Sequence, residues 1–272
     1  MSCKEVVKEI VIKNQEKILS VTKRLRDFLG VNYVLYRRTK HNGDSYSIGD
    51  RPDWFEFFHH HKLQNVNPLA RNPSLYKSGN YACQDIYDSM LTTDIMDAAR
   101  RDFRMDHHHL IISKDEHGVE MLALAADPSH TRMQNMYFKS SKLIIKFIPY
   151  LRNELRELIE ALEENPTSLP EQIPDYNELD VKFDCEVSAS EFLLEIGLEK
   201  VVSRWKILTP RERECLDHLV DGNTVKQIAF HMGLSPRTAE LYVNNIKLKW
   251  QCYDRGELIR QGKEFRDLNL SH

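Results

Sequence analysis

Residues 208–250 read LTPRERECLDHLVDGNTVKQIAFHMGLSPRTAELYVNNIKLKW. Three helix starts are written into this stretch. Thr209-Pro210-Arg211-Glu212 is a capping box: the Thr hydroxyl accepts a free backbone N–H, Pro fits the first helical position, and Glu212 reaches back to the cap. Thr224-Val225-Lys226-Gln227 repeats the pattern with Gln. Gly233-Leu234-Ser235-Pro236 supplies a helix-ending Gly, a turn, a Ser cap and a first-position Pro. Just beyond, Asp254-Arg255-Gly256-Glu257 resembles a fourth start with Asp as the cap. The reading is helices over 210–220, 225–232 and 236–251, with another from 255. Two short helices joined by a turn containing Gly have the sequence form of a helix-turn-helix.

At about 100° per residue, Ala239, Val243, Ile246 and Trp250 share one side of the third helix and form its packing face. Arg237, Leu241, Asn244 and Leu248 fall opposite. Arg can fork to guanine, Asn can pair with adenine, and Leu can meet a thymine methyl. Lys247 and Lys249 flank the stripe and, with Lys226, are candidates for phosphate contacts. Thr238 and Asn245 complete the candidate DNA-binding set. An exposed Arg or Asn is ordinarily just solvated. Here two leucines share the face, and the local charge supports a polyanionic partner. The 272-residue chain carries a net charge of −3, but residues 204–266 sum to +4 and residues 1–203 to −6. Such asymmetry points to one part that meets an anion.

These residues resemble a family. Leu208-Thr209-x-Arg211-Glu212-x-Glu214-x-Leu216, Gly222, Lys226-x-Ile228-Ala229, Leu234-Ser235-x-x-Thr238 and Asn245-Ile246-x-x-Lys249 are similar to the DNA-binding domain of LuxR-type transcription regulators. The sequence departs from that pattern at Ala239, Glu240, Tyr242 and Trp250-Gln251. The resemblance implies an all-α four-helix helix-turn-helix domain that dimerises through its last helix and reads an inverted repeat in double-stranded DNA.

Upstream, Val7, Ile10, Val11, Ile18, Val21, Leu25 and Phe28 mark a helical face over 4–29. Val31 to Tyr36 is rich in strand formers. Helices are expected over 53–63 and 87–103. Leu110-Ile111-Ile112, a turn at Asp115-Glu116-His117-Gly118, and Val119 to Ala126 read as a hairpin. A long helix follows over about 129–163. The stretch 164–182, with three prolines in the nine residues 166–174, reads as a linker, with a short amphipathic segment over 188–203. The expected organisation is a sensory domain over 1–163, a linker with a short helix over 164–203, and the DNA-binding domain over 204–272.

The order of elements in 1–163 resembles the autoinducer-binding domain that accompanies some LuxR-type regulators. No phosphate-loop motif and no receiver-type acidic pair is present. The resemblance implies an α/β/α sandwich with an antiparallel sheet. Trp54-x-x-x-Phe58 followed by Asn67-Pro68 matches the spacing of the family's Trp-x-x-x-Tyr and Asp-Pro, so Trp54, Phe58 and Asn67 are candidate ligand-binding residues. Tyr36 and Tyr81 are added as wall residues, with Tyr33 beside them. In the family, Trp and Tyr donate to ligand carbonyls and Asp accepts from the ligand amide. Phe58 cannot donate, and Asn67 accepts less strongly than a carboxylate. The two changes together are expected to weaken lactone binding by about 2–4 kcal/mol, or roughly 30- to 1000-fold. Three readings stay open: a solo regulator with an altered small-molecule pocket, an acyl-homoserine-lactone receptor proper, and an interaction or dimerisation module with a degenerate DNA reader.

Hydrophobic residues at 41% and charged residues at 29% describe an ordinary globular chain. No apolar run approaches the ~20 residues that span a bilayer, and no signal core opens the chain. Five scattered cysteines (Cys3, Cys83, Cys185, Cys215 and Cys252) fit a reduced, cytoplasmic protein. His59-His60-His61 and His107-His108-His109 are not expected to hold a metal, because neighbours on a helix diverge by about 100° and on a strand alternate faces. Asp85, Asp94, Asp106 and Asp127 form no catalytic motif. No cofactor and no enzymatic activity are expected. The expected partners are double-stranded DNA, a second copy of the chain and a small-molecule effector.

Overall fold

Residues 31–40 carry apolar or aromatic side chains on both alternating sets of positions, so their strand must be covered on both faces. The computed structural model, which describes residues 9–63, 67, 69–83, 90–173, 175–178 and 189–267, shows this arrangement. The N-terminal unit runs in the order α1 (Gln15–Leu29), β1 (Val31–Lys40), β2 (Asp44–Gly49), α2 (Pro52–His60), β3 (Gly79–Ala82), α3 (Met90–Phe103), β4 (Asp106–Asp115), β5 (Gly118–Ala126), α4 (Met133–Glu154), α5 (Arg156–Glu163) and β6 (Thr167–Ser168). The strands form one sheet in the order β3-β4-β5-β1-β2-β6, every pair antiparallel.

The two-residue period sorts the core. Val34, Tyr36, Leu122 and Leu124 face α1, α4 and α5. Tyr33, Leu35 and Ala125 face the aromatic layer of α2 and α3. The result is the expected α/β/α sandwich. Two buried carboxylates tie its layers. Tyr36 donates to Glu120 Oε1 at 2.7 Å, with Arg152 3.5 Å away. Asp50 accepts the Val34 backbone N–H at 2.9 Å and faces Arg26 at 3.5 Å.

The expected β4–β5 hairpin forms. Its turn ends at Gly118, whose φ of 145° and closeness to Thr39 leave no room for a Cβ, which would lie 2.1 Å from the Thr39 carbonyl oxygen. The sequence reading omits three strands, β2, β3 and β6. β2 pairs with β1 across a turn that contains Asn42-Gly43, a strong hairpin signal. β3 has only four residues and pairs with β4. The single helix expected over 129–163 is two, α4 and α5, broken at the fully buried Leu155. Pro149 inside α4 removes one backbone donor.

The larger correction concerns the linker. The chain divides into two compact units, 1–183 and 184–272. Thr167 and Ser168 pair with β2, and Leu169, Ile173 and Tyr176 bury against Ala70. Prolines bend this segment, but its apolar residues fix it to the N-terminal unit. At the other end, α6 (Ala189–Glu195) and α7 (Glu199–Lys206) bury Leu193, Val202 and Trp205 in the core of the C-terminal unit. Only 179–188 remains between the two, and it lies outside the described residues. So do residues 4–8 and 87–89 of the expected helices, together with Cys3, Asp85, Pro68 and Cys185.

The C-terminal unit continues with α8 (Pro210–Val220), α9 (Val225–His231), α10 (Pro236–Trp250) and α11 (Arg255–Asp267). These are the four expected helices, with ends shifted by no more than one residue where the ends were set. Cys83, Cys215 and Cys252 are buried.

A fragment ending at residue 163 is expected to be less stable than one ending at 183 by on the order of 5 kcal/mol, since it exposes the contacts of Leu169, Ile173 and Tyr176. Urea denaturation of the two fragments measures the difference, and equal midpoints would return 164–178 to the linker.

Candidate nucleic-acid interface and ligand cavity

The caps read from sequence are all in place. Thr209 Oγ1 accepts from the Glu212 N–H at 3.3 Å, and Glu212 Oε2 accepts from the Thr209 N–H at 2.7 Å. Thr224 and Gln227 form the second box. Ser235 Oγ accepts from the Thr238 N–H at 3.1 Å. Asp254 Oδ1 accepts from the Glu257 N–H at 2.8 Å, but here the returning carboxylate serves the Tyr253 N–H instead of the cap. Between α9 and α10, Gly233 adopts φ 65° with open space around it. This left-handed residue turns the chain sharply enough to set α10 across α9.

On α10 the angular reading holds residue by residue. Ala239, Val243, Ile246 and Trp250 are buried. Leu241 is 55% and Leu248 76% exposed, and Arg237 and Asn244 lie exposed on the same side. Asn245 and Lys247 are half-buried at its margin, and Lys226 is exposed at the start of α9. Among the described residues Lys226, Arg237 and Lys247 have no carboxylate partner. Thr238 is engaged in the cap, its hydroxyl 2.8 Å from that of Ser235.

Lys249 needs a different reading. Its ammonium lies 2.6 Å from Glu212 Oε2 and donates to the Ile207 carbonyl at 3.1 Å. It is a strut between the start of α8 and the end of α10, not a group held out for phosphate. The sequence carried no signal for this pairing, because 37 residues separate the partners. Burial pushes the Glu212 carboxyl up, while Lys249 and the Thr209 cap pull it further down, so the net shift is downward.

Residues 206–261 match the family model described as bacterial regulatory proteins, luxR family. The C-terminal domain is of LuxR type. It is 38% identical over 73 residues to the transcriptional regulatory protein FixJ of Azorhizobium caulinodans, covering 27% of this chain and 35% of that protein. It is 37% identical over 66 residues to FixJ of Bradyrhizobium diazoefficiens, covering 24% and 32%. The chain thus spans about a third of the length of these curated relatives. Among solved structures, Escherichia coli SdiA aligns over 96% of this chain and 90% of its own, with 14% identity and a TM-score of 0.33. SdiA in complex with octanoyl-rac-glycerol aligns with 15% identity and a TM-score of 0.30, over 96% and 87%.

The N-terminal unit holds a cavity of about 1320 Å³. Trp54 is buried in its wall, stacked on Phe57 with centroids 5.7 Å apart and edge-on to Phe103 at 5.1 Å. Phe58 and Asn67 also line it. Asn67 Oδ1 already accepts the Leu69 N–H at 2.9 Å, so its carbonyl is partly committed to the local turn. Arg37 contributes a cation to the wall and ties the sheet to the loop, donating to Ser47 Oγ and to the Leu69 carbonyl, each at 2.9 Å.

Tyr36 and Tyr81 are corrections. Tyr36 points to the opposite face of the sheet, where it serves Glu120. The two-residue period puts Tyr33, Leu35 and Arg37 on the cavity side instead. Tyr81 sits on edge strand β3, outside the cavity wall, and donates to the Lys77 and Ser78 carbonyls. Sequence reading also missed the wall that Leu169 and Ile173 supply, because that segment reads as linker. Of the histidine runs, His61 Nδ1 lies 2.9 Å from the Phe57 carbonyl and His108 Nε2 3.2 Å from that of Met105. Among the described residues no three His, Cys, Asp or Glu side chains are placed to hold a metal ion.

Lys249→Met leaves the Glu212 carboxylate buried without its cation. It is expected to lower stability by about 1–3 kcal/mol. Because the folded-state pKa of Glu212 is depressed, its contribution is present above the unfolded carboxylate range and is lost as pH falls through the folded value. Melting curves between pH 7 and pH 3 check both points: the acid limb should be shallower in Glu212→Gln than in the natural chain.

Proposed function

We propose that the chain is a LuxR-type transcription regulator that acts as a homodimer on double-stranded DNA and responds to a small molecule held in its N-terminal cavity. The single observation that carries the DNA half is the outward face of α10. It presents Arg237, Leu241, Asn244 and Leu248, with Lys226 and Lys247 at its edges and without carboxylate partners among the described residues, on a domain of LuxR type. Arg and Asn supply directional hydrogen bonds to base edges, the leucines supply contact to thymine methyls, and the lysines supply charge. Two such helices docking on one face of the duplex need half-sites about 34 Å apart. No helix among the described residues is long and apolar enough to cross a membrane. Catalysis has no part in this reading.

The ligand half rests on the cavity and on what lines it. The wall offers the Trp54 indole and aromatic surface, with Arg37 and the carboxylates of Asp53, Glu56 and Glu171 among its polar groups. Phe58 is part of an aromatic cluster and Asn67 spends its oxygen on Leu69, so the site suits a ligand other than a lactone amide. A panel of acyl-homoserine lactones is therefore expected to leave the melting temperature of the natural chain unchanged. A true ligand at 100 times its dissociation constant would add about 2.7 kcal/mol, a shift of several degrees, and such a shift with a lactone would restore the receptor reading.

The DNA half is tested by selecting duplexes from a random pool with the full chain. The expected product is an inverted repeat. On the selected duplex, Arg237→Ala and Asn244→Ala should each weaken binding by about 1–3 kcal/mol and relax one base position, whereas Lys226→Ala should weaken all duplexes alike. A pool that stays random after repeated rounds would favour the interaction-module reading.

A further inference from the structure

The cavity carries a cluster of hydrogen-bond donors where β1, β2 and the loop before β3 meet. Arg37 and Ser47 are register partners across β1 and β2, and both line the cavity together with Asn67. Arg37 Nε donates to Ser47 Oγ and Arg37 Nη1 to the Leu69 carbonyl, each at 2.9 Å. The Leu69 N–H in turn donates to Asn67 Oδ1 at 2.9 Å. Three oxygens of the cluster thus each accept a bond from within it. A serine hydroxyl that accepts still has its proton to give, and a carboxamide whose oxygen is engaged still has two N–H groups. Among the described residues neither the Ser47 hydroxyl proton nor the Asn67 amide finds an acceptor.

The apolar end of the cavity lies along the same strand. Tyr33 and Leu35 pack with Trp54, Phe57 and Phe103, and the alternation that puts them on the cavity side puts Arg37 there too. At about 3.3 Å per residue, Tyr33 and Arg37 are about 13 Å apart. Between them, Leu35 has Gly49 on β2 and Ala123 on β5 as its register partners. Both line the cavity and carry next to no side chain, so the floor that joins the two ends is low. The carboxylates of the wall lie elsewhere. Asp53, Glu56 and Glu171 are exposed, and Asp53 is engaged by Arg51 at 2.6 Å.

We propose that Arg37, Ser47 and Asn67 form a subsite for the carboxylate of an amphiphile whose apolar chain lies along Leu35 toward Trp54, Phe57 and Phe103. This rests on the reading that the N-terminal unit binds a small molecule, and it names the chemical class. An ionised carboxylate only accepts hydrogen bonds. It answers the Ser47 hydroxyl and the Asn67 amide without offering a proton to oxygens that are already engaged. Bonds from a guanidinium to a carboxylate are short and charge-assisted, and an anion leaves water at low cost only where it meets a cation. The two bonds that hold Arg37 place its guanidinium in the wall before a ligand arrives, so less order is lost on binding. An alcohol in the same place brings a proton to engaged oxygens and no charge to Arg37.

The test is calorimetric titration of the full chain with decanoate and 1-decanol at pH 7, beside Ser47→Ala, Asn67→Asp and Arg37→Gln. Decanoate is expected to bind the natural chain at least about tenfold more tightly than the alcohol. Ser47→Ala should raise the dissociation constant of decanoate about tenfold, the loss of roughly one hydrogen bond to a charged group. Asn67→Asp keeps an oxygen for the Leu69 N–H but sets a second anion beside the first, so it should raise that constant further. Arg37→Gln should bring decanoate down to the level of the alcohol. None of the three should change the affinity for 1-decanol more than about twofold, whereas general loosening of the cavity would weaken both compounds alike. Ser47→Ala and Asn67→Asp carry the test if Arg37→Gln does not fold. Alcohol binding as tight as decanoate binding, or decanoate binding unchanged in Ser47→Ala and Asn67→Asp, would overturn the subsite and leave the cavity reading standing. Failure of both compounds to bind the natural chain would overturn both.

Discussion

One buried carboxylate fixes the surface on which the functional reading depends. Glu212 closes the capping box of α8 with Thr209 and holds the ammonium of Lys249 from the last turn of α10. The Trp250 indole adds a hydrogen bond to the Arg204 carbonyl at 2.8 Å and packs on Phe265 at 4.6 Å. Together they set both the height and the rotation of α10 against the rest of the domain. A rotation of one residue, about 100°, would bury Arg237 or Asn244 and expose Ala239. The packing face and the outward face of α10 are thus two consequences of one constraint.

The N-terminal unit obeys a different constraint, the two-residue period of β1 and β5. Because both faces of these strands are covered, each residue belongs to one layer or the other with no solvated side to relax toward. That period separates Tyr33 from Tyr36 and puts Arg37 in the cavity wall.

Much of this was legible in the sequence, and the reasons differ by region. Helix ends in 208–266 are written locally, in Thr209, Thr224, Gly233, Ser235 and Asp254, and local rules read them to within a residue. The face of α10 followed from periodicity alone. The α/β/α layering was available through resemblance and the β4–β5 hairpin. What escaped was long-range. The pairing of Lys249 with Glu212 and of Tyr36 with Glu120 joins residues far apart in the chain. The segment around Leu169 and Ile173 looked like linker because prolines dominate its texture, yet a few apolar residues were enough to dock it. The β2 strand was missed although Asn42-Gly43 announces its turn, and β3 was missed because four residues carry no period to detect.

Salt dependence is the most direct test of the proposal that the outward face of α10, edged by Lys226 and Lys247, meets DNA. Affinity for a selected duplex should be measured across a range of salt concentrations. With Lys226 and Lys247 contributed by each of two protomers, the slope of log affinity against log salt should be steeper than about −3, at roughly −0.9 per phosphate neutralised. It should flatten in the double variant Lys226→Ala/Lys247→Ala. A slope near zero, or one unchanged in that variant, would contradict the assignment of this face to DNA.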